Sequence, residues 1–211
     1  MTGVKAFAAW TDRGPSPTAR AFREICHRGL VTFGASDCPL MPDIALSKLM
    51  VRIDDCNDGR IYETGALAQC REAPLIAELI TEVGNGLFVR LAARLVQVDI
   101  LLEQMRLDLR CLAKDGQIDR IEEASGTGIA AVETARGRLV HRVEIEANRV
   151  KDYRILAPTE WNFHPQGPLA LGLSGAPVPD LKKFHEPVGL LVSALDPCVA
   201  LEIAIKGGAH A

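Results

Sequence analysis

Between Leu139 and Leu156 apolar and polar side chains alternate on either side of an Ala147-Asn148 step, and this leaves the chain few choices of fold. Alternation with a period of two places every second side chain on one face of a strand. Two such runs joined by a tight turn make an antiparallel β-hairpin. Leu139, Val140, Val143 and Ile145 mark one strand; Val150, Tyr153, Ile155 and Leu156 mark the other. Arg136-Gly137 precedes the first strand and Ala157-Pro158-Thr159-Glu160-Trp161-Asn162 follows the second. Antiparallel pairing therefore brings the Arg136 guanidinium and the Thr159 hydroxyl to the same, open end of the hairpin. The stretch from Val132 to Pro165 is the feature around which the remaining segments are placed.

Those segments read mostly as helices. Residues 1 to 16 form a loose start, and Ser16-Pro17 supplies an N-cap and a first-turn proline for a helix from Pro17 to Arg28. Its apolar side is Ala21, Phe22 and Ile25. Cys26-His27 reads as a core cysteine beside a surface histidine, since adjacent helical residues diverge by about 100° and cannot share a metal. Asp43 to Val51 reads as a short helix. The acidic loop from Asp54 to Gly59 lacks the residue order of a calcium loop. Glu63-Thr64-Gly65-Ala66-Leu67 opens a helical middle, where Glu63 caps or pairs within the bundle. A helix from Pro74 stops at Gly84-Asn85-Gly86, and a longer one runs from Leu87 to Ala113. Leu87, Leu91, Leu95, Val98, Leu102, Met105, Leu109 and Leu112 form the apolar stripe of that helix, with Arg90 and Arg94 on its polar side.

Ser125-Gly126-Thr127-Gly128 reads as a flexible lead into the hairpin, and residues 172 to 180 as a Gly/Pro-rich connector. Phe184 to Leu195 reads as a final helix interrupted early by Pro187, and Val199 to Ile205 as a short strand. The expected architecture is α+β: a helical bundle with long helices, and the hairpin and C-terminal strand packed at one end so that Cys198 meets Arg136 and Thr159. Residues 1-60 form a helical N-terminal segment and residues 61-211 the main domain.

Composition removes several function classes. A net charge of −3 with dispersed Arg and Lys gives no electrostatic footprint for nucleic acid. No run approaches the ~20 apolar residues of a membrane span. Six cysteines without CxxC spacing fit a reducing cytoplasm better than a disulfide framework.

Four segments, in order, resemble the large subunit of nickel-iron hydrogenases: Glu63 to Leu67 with the two helices behind it, Val132-Glu133-Thr134-Ala135-Arg136-Gly137 with His141 following, Ala157 to Asn162, and Asp196-Pro197-Cys198. The resemblance spans roughly residues 60 to 201. In that family nickel and an iron carrying cyanide and carbon monoxide are held by four cysteines from two CxxC motifs. By resemblance Arg136 matches the arginine over the iron, Pro158 and Thr159 match the cyanide-binding pair, and Cys198 matches the first cysteine of the C-terminal motif. His141 matches a family position. Soft thiolates suit such metals, and cyanide needs hydrogen-bond donors of the guanidinium and hydroxyl type.

The departures are as informative as the matches. Leu201 stands where the family has its second C-terminal cysteine, and Ala204 where a histidine marks the maturation cut. The N-terminal RxCGxC motif is absent. Such a set argues against nickel and against hydrogen turnover by this chain. It is similar to the HupK/HoxV type of hydrogenase maturation protein, which implies a scaffold or carrier for the iron-cyanide-carbonyl unit. The implied partners are hydrogenase accessory proteins and the hydrogenase large subunit. A truncated large subunit of an uptake or sensor hydrogenase and a metal-free interaction module of the assembly machinery are the other readings. Taken singly, Arg136, Thr159 and Cys198 are of types more often used for packing than for chemistry.

Overall fold

The computed structural model describes residues 3–43, 60–110, 119–123, 126–178 and 180–205. The chain starts with two antiparallel-packed helices, α1 (Val4–Arg13) and α2 (Pro17–His27). A helix therefore replaces the loose start expected for residues 1 to 16. Val4, Phe7, Trp10 and Thr11 recur at helical spacing, and their side chains meet a partner surface that no local pattern reveals. Phe7, Phe22 and Phe88 pack edge to face with ring centroids 5.0 to 5.8 Å apart, a geometry favoured by the aromatic quadrupole. Ser16 caps α2 by accepting the Ala19 N–H at 3.1 Å, with Pro17 at the first helical position. Cys26 is exposed rather than in the core, because the buried face of α2 is Ala19, Phe22 and Ile25, and Ala21 also faces outward. The expected helix from Asp43 to Val51 and the acidic loop after it lie, from residue 44 onward, outside the described residues.

The helical middle consists of α3 (Ala66–Gln69), α4 (Pro74–Val83) and α5 (Leu87–Arg110). Ile76, Leu87, Val89, Ala92 and Ala93 are fully buried in one core with Phe7, Phe22 and Leu67. Each large aliphatic side chain of this kind contributes about 2 kcal/mol of transfer free energy. Arg90, expected on the polar side of α5, is instead buried at 1% exposure. Its Nε and Nη2 donate to the two carboxylate oxygens of Glu63 at 2.8 Å each, and its Nη1 donates to the Gly34 carbonyl at 2.7 Å. Glu63 thus pairs within the bundle, one of the two roles expected of it.

Strands β1 (Asp119–Glu123), β2 (Thr127–Thr134), β3 (Gly137–Glu146) and β4 (Arg149–Leu156) form one antiparallel sheet in the order β1-β2-β3-β4. The expected hairpin is β3-β4. Its turn residues Ala147 and Asn148 have φ of 48° and 63°, the doubly left-handed turn whose twist matches the flanking strands. Thr127 and Gly128, expected as part of a flexible lead, instead pair with Glu144 and Val143 as the start of β2. Ile129, Ala131 and Val140 turn one face of the sheet onto Trp161 and Met41 in a second core.

Three helices complete the fold: α6 (Pro158–Asn162), α7 (Pro168–Leu173) and α8 (Leu181–Leu195). Pro187 sits inside α8 without ending it. No strand forms over Val199–Ile205; the described residues there are irregular. Their contact with the body includes the Ile203 carbonyl, 3.2 Å from His185 Nε2, and among the described residues they do not join the four-stranded sheet. Among the described residues no helix is long and apolar enough to cross a membrane.

Candidate functional site

The turn between β2 and β3 carries Arg136, and its backbone is fixed from several directions. Thr134 Oγ1 donates to the Gly137 carbonyl at 2.7 Å and accepts the Arg136 N–H at 3.2 Å. Gln69 Nε2 donates to the Thr134 carbonyl at 2.9 Å and Gln97 Nε2 to the Ala135 carbonyl at 3.0 Å. Gly137 has φ of 125°, and a Cβ there would lie 2.3 Å from Thr64 Oγ1. Both facts demand glycine. The same Thr64 hydroxyl accepts the Arg138 N–H at 3.3 Å, so the Glu63-Thr64-Gly65 segment is docked on the start of β3.

Asn162 joins this segment to two others. It is 1% exposed; its Oδ1 accepts the Thr64 N–H at 2.9 Å and its Nδ2 donates to the Thr64 carbonyl at 3.0 Å. Nδ2 also lies 3.5 Å from the Leu195 carbonyl at the end of α8. One side chain therefore satisfies backbone groups that burial would otherwise leave unpaired.

Beyond α8, Asp196 takes φ of 51°, a left-handed conformation found at helix ends and favoured by Gly and Asn. Its Oδ2 lies 3.5 Å from Arg136 Nε and 3.3 Å from Arg94 Nη2, while Arg94 Nη1 donates to the Ser193 carbonyl at 2.6 Å. Two guanidinium groups face one carboxylate, leaving an excess of positive charge at a narrow cleft of ≈ 10 Å³, room for about one water, between Thr64, Arg94, Arg136 and Asp196. Two residues on, the Cys198 N–H donates to Thr159 Oγ1 at 3.3 Å. The hydroxyl acts there as acceptor and keeps its own proton to donate. Thr159 is held by α6, where Pro158 is buried at the first helical position and the Glu160 carboxylate accepts the Ala157 N–H.

Arg136, Pro158, Thr159 and Cys198, the four residues singled out from sequence, thus gather at one end of the molecule, linked through Asp196 and the Cys198 amide. The Cys198 thiol is exposed. The other described thiols are elsewhere: burial raises the Cys70 thiol, and burial with the Glu63 carboxylate pushes Cys38 up to about 11. Cys26 is also raised, by burial first and then by Asp12. Among the described residues no three His, Cys, Asp or Glu side chains converge as a metal cage. His141 points to the opposite sheet face from the Trp161 core, 2.6 Å from the Tyr153 hydroxyl through Nδ1. Leu201 is 47% exposed. The sequence reading passed over Arg94, Gln69 and Gln97 because all three sit on helices where polar residues ordinarily face water.

A family model for nickel-dependent hydrogenase matches residues 76–203. The chain is 42% identical over 160 residues to the hydrogenase expression/formation protein HupK of Rhizobium leguminosarum bv. viciae, covering 72% of this chain and 40% of that protein. It is 34% identical over 148 residues to the hydrogenase expression/formation protein HoxV of Cupriavidus necator, covering 67% of this chain and 37% of that protein. The chain thus spans well under half the length of these relatives. Among solved structures, the Ni-Fe-Se hydrogenase of D. vulgaris Hildenborough in the reduced state superposes with a TM-score of 0.53 at 24% identity, over 67% of this chain and 35% of that one. The Ni-Fe-Se hydrogenase of Desulfomicrobium baculatum gives 0.53 at 24% identity, over 66% and 34%. Over about two thirds of this chain the fold is therefore that of roughly one third of these hydrogenase chains, and the chain belongs to the nickel-dependent hydrogenase family.

Proposed function

We propose that this chain is an accessory protein of hydrogenase formation, which holds the iron-cyanide-carbonyl unit of the nickel-iron cofactor as a passing cargo. The likeness to hydrogenase expression/formation proteins supports the accessory role. The observation that carries the finer reading is the meeting of Arg136, Asp196, Cys198 and Thr159 through the 3.5 Å and 3.3 Å contacts.

The donor set fits such a cargo. The exposed Cys198 thiol supplies one soft ligand. The Thr159 O–H and the outward N–H groups of Arg136 supply donors for cyanide nitrogens, and the excess positive charge favours an anionic unit. A site with one protein thiolate binds loosely, which suits a cargo that must be handed on. Nickel has no comparable place: Leu201 offers no donor atom where the family has a bridging thiolate. Cargo comes from hydrogenase accessory proteins and passes to a hydrogenase large subunit.

The test is infrared spectroscopy and metal analysis of the chain purified from its host together with the assembly proteins. The expected result is iron without nickel, and cyanide and carbonyl stretching bands that vanish in Cys198→Ala. Absence of bands from the unaltered chain overturns the carrier reading. A stable complex with accessory proteins that ignores both Cys198→Ala and Arg136→Ala favours a metal-free docking role.

A further inference from the structure

The first half of α5 is packed on the bundle, but every residue from Val98 to Arg110 is exposed. That exposed half is not polar. Leu95, Val98, Leu102, Met105 and Leu109 follow one another at steps of three and four residues, and their exposures run from 37% to 69%. Such spacing aligns them in a single straight seam of the kind two packed helices share. A seam of this length exposed to water is a surface that another helix covers.

The residues beside the seam say which helix. Along one flank, Asp99 and Glu103 are followed by Arg106 and Arg110, so the N-terminal half of the flank is acidic and the C-terminal half basic. Reversed end for end, this order is its own complement. An antiparallel partner of the same sequence sets Asp99 and Glu103 opposite Arg110 and Arg106 of the second copy, and the converse, about an axis between Gln104 and Met105. A parallel partner sets like charges level with like. Within one chain Glu103 and Arg106 are 3.4 Å apart and largely exposed, so both are free to exchange partners at little cost. The other flank carries Arg94, Leu101 and Asp108; Arg94 is already held by Asp196 and Ser193, and Asp108 accepts from Gln104 of its own helix at 2.8 Å, which leaves the acid-base flank to set the direction.

We propose that α5 is a self-association surface, on which a second copy of this chain packs its own α5 antiparallel about a two-fold axis. The contact is isologous. The contact is centred on the exposed C-terminal half of α5, beyond Arg94 and Gln97, the residues of this helix that touch the Arg136 turn and Asp196.

Sedimentation analysis across the micromolar range tests this, with charge-reversed variants of exposed residues that leave the bundle core intact. The unaltered chain is expected to shift with concentration from the 22.8 kDa monomer to twice that mass. Asp99→Arg with Glu103→Arg makes the flank wholly basic and abolishes the shift, and Arg106→Glu with Arg110→Glu makes it wholly acidic and does the same. Mixing these two variants restores the dimer, as does combining all four changes in one chain. A chain that stays monomeric throughout, as it would if the seam served a different protein, overturns the proposal. So does a dimer indifferent to the charge reversals.

Discussion

Asn162 grips Thr64 from both sides, accepting its N–H at 2.9 Å and donating to its carbonyl at 3.0 Å across 98 residues of sequence. The segment that carries Glu63, the turn that carries Arg136 and the end of α8 before Asp196 all meet at this amide.

Asn162→Leu preserves size but leaves the Thr64 backbone groups buried without partners. The expected loss is about 2 to 4 kcal/mol, read as a lower denaturant midpoint with unchanged slope. Asn162→Asp keeps the acceptor and loses the donor, so it falls between the two.

Gly137→Ala forces a left-handed residue to carry a Cβ 2.3 Å from Thr64 Oγ1. A destabilisation above about 2 kcal/mol is expected, along with displacement of the Arg136 turn. Gly29→Ala, also left-handed but with open space at its Cβ, serves as the control and costs about 1 kcal/mol.

The buried Glu63–Arg90 pair separates removal of one charge from removal of both. Glu63→Leu strands the Arg90 guanidinium and is expected to cost about 3 to 5 kcal/mol, while Glu63→Leu with Arg90→Met recovers most of that loss. Thermal denaturation of Glu63→Leu, Arg90→Met and the double variant beside the unaltered chain measures the coupling.

Cys38 is held as the neutral thiol, with its folded value near 11 against an ordinary 9.0. The folded state therefore keeps a proton that the unfolded chain gives up. This contribution to stability is whole below pH 9 and is lost as pH rises through 11, on the order of 2 kcal/mol. Chemical denaturation between pH 8 and 11 should show the decline, and Cys38→Ala should flatten it. Alkylation at neutral pH should label Cys26 and Cys198 at once, and Cys38 and Cys70 only on unfolding.

The hairpin was legible because strand alternation and a tight turn are local signals, and Leu139 to Leu156 carries both. Helices α2, α4 and α5 were legible for the same reason. What local pattern could not show is what a helix face meets. Arg90 has the spacing of a solvent-facing residue, and only the Glu63 carboxylate 27 positions away makes its burial tolerable. Phe7 and Trp10 recur at helical spacing, but nothing local shows that Phe22 and Phe88 stand ready to pack against them. β2 was hidden because its Gly-rich beginning, Gly126-Thr127-Gly128, reads as a loop until β3 is beside it. For Val199 to Ile205 the alternation was present, but the segment does not pair with the sheet. The site residues were found by motif, but their supports, Gln69, Gln97 and Arg94, were not, since each acts on a backbone carbonyl or a carboxylate brought near only by folding.

The reach of Asn162 also fixes an order of events. Both ends of its amide close on Thr64 and its Nδ2 also reaches the Leu195 carbonyl, and the residues that meet Thr159 and Arg136 come after Leu195. A growing chain can complete its helical bundle and its sheet while Asp196 and Cys198 are still unmade. Long-range closure of this kind comes last in folding. The pocket is thus assembled only once nearly all the described chain exists.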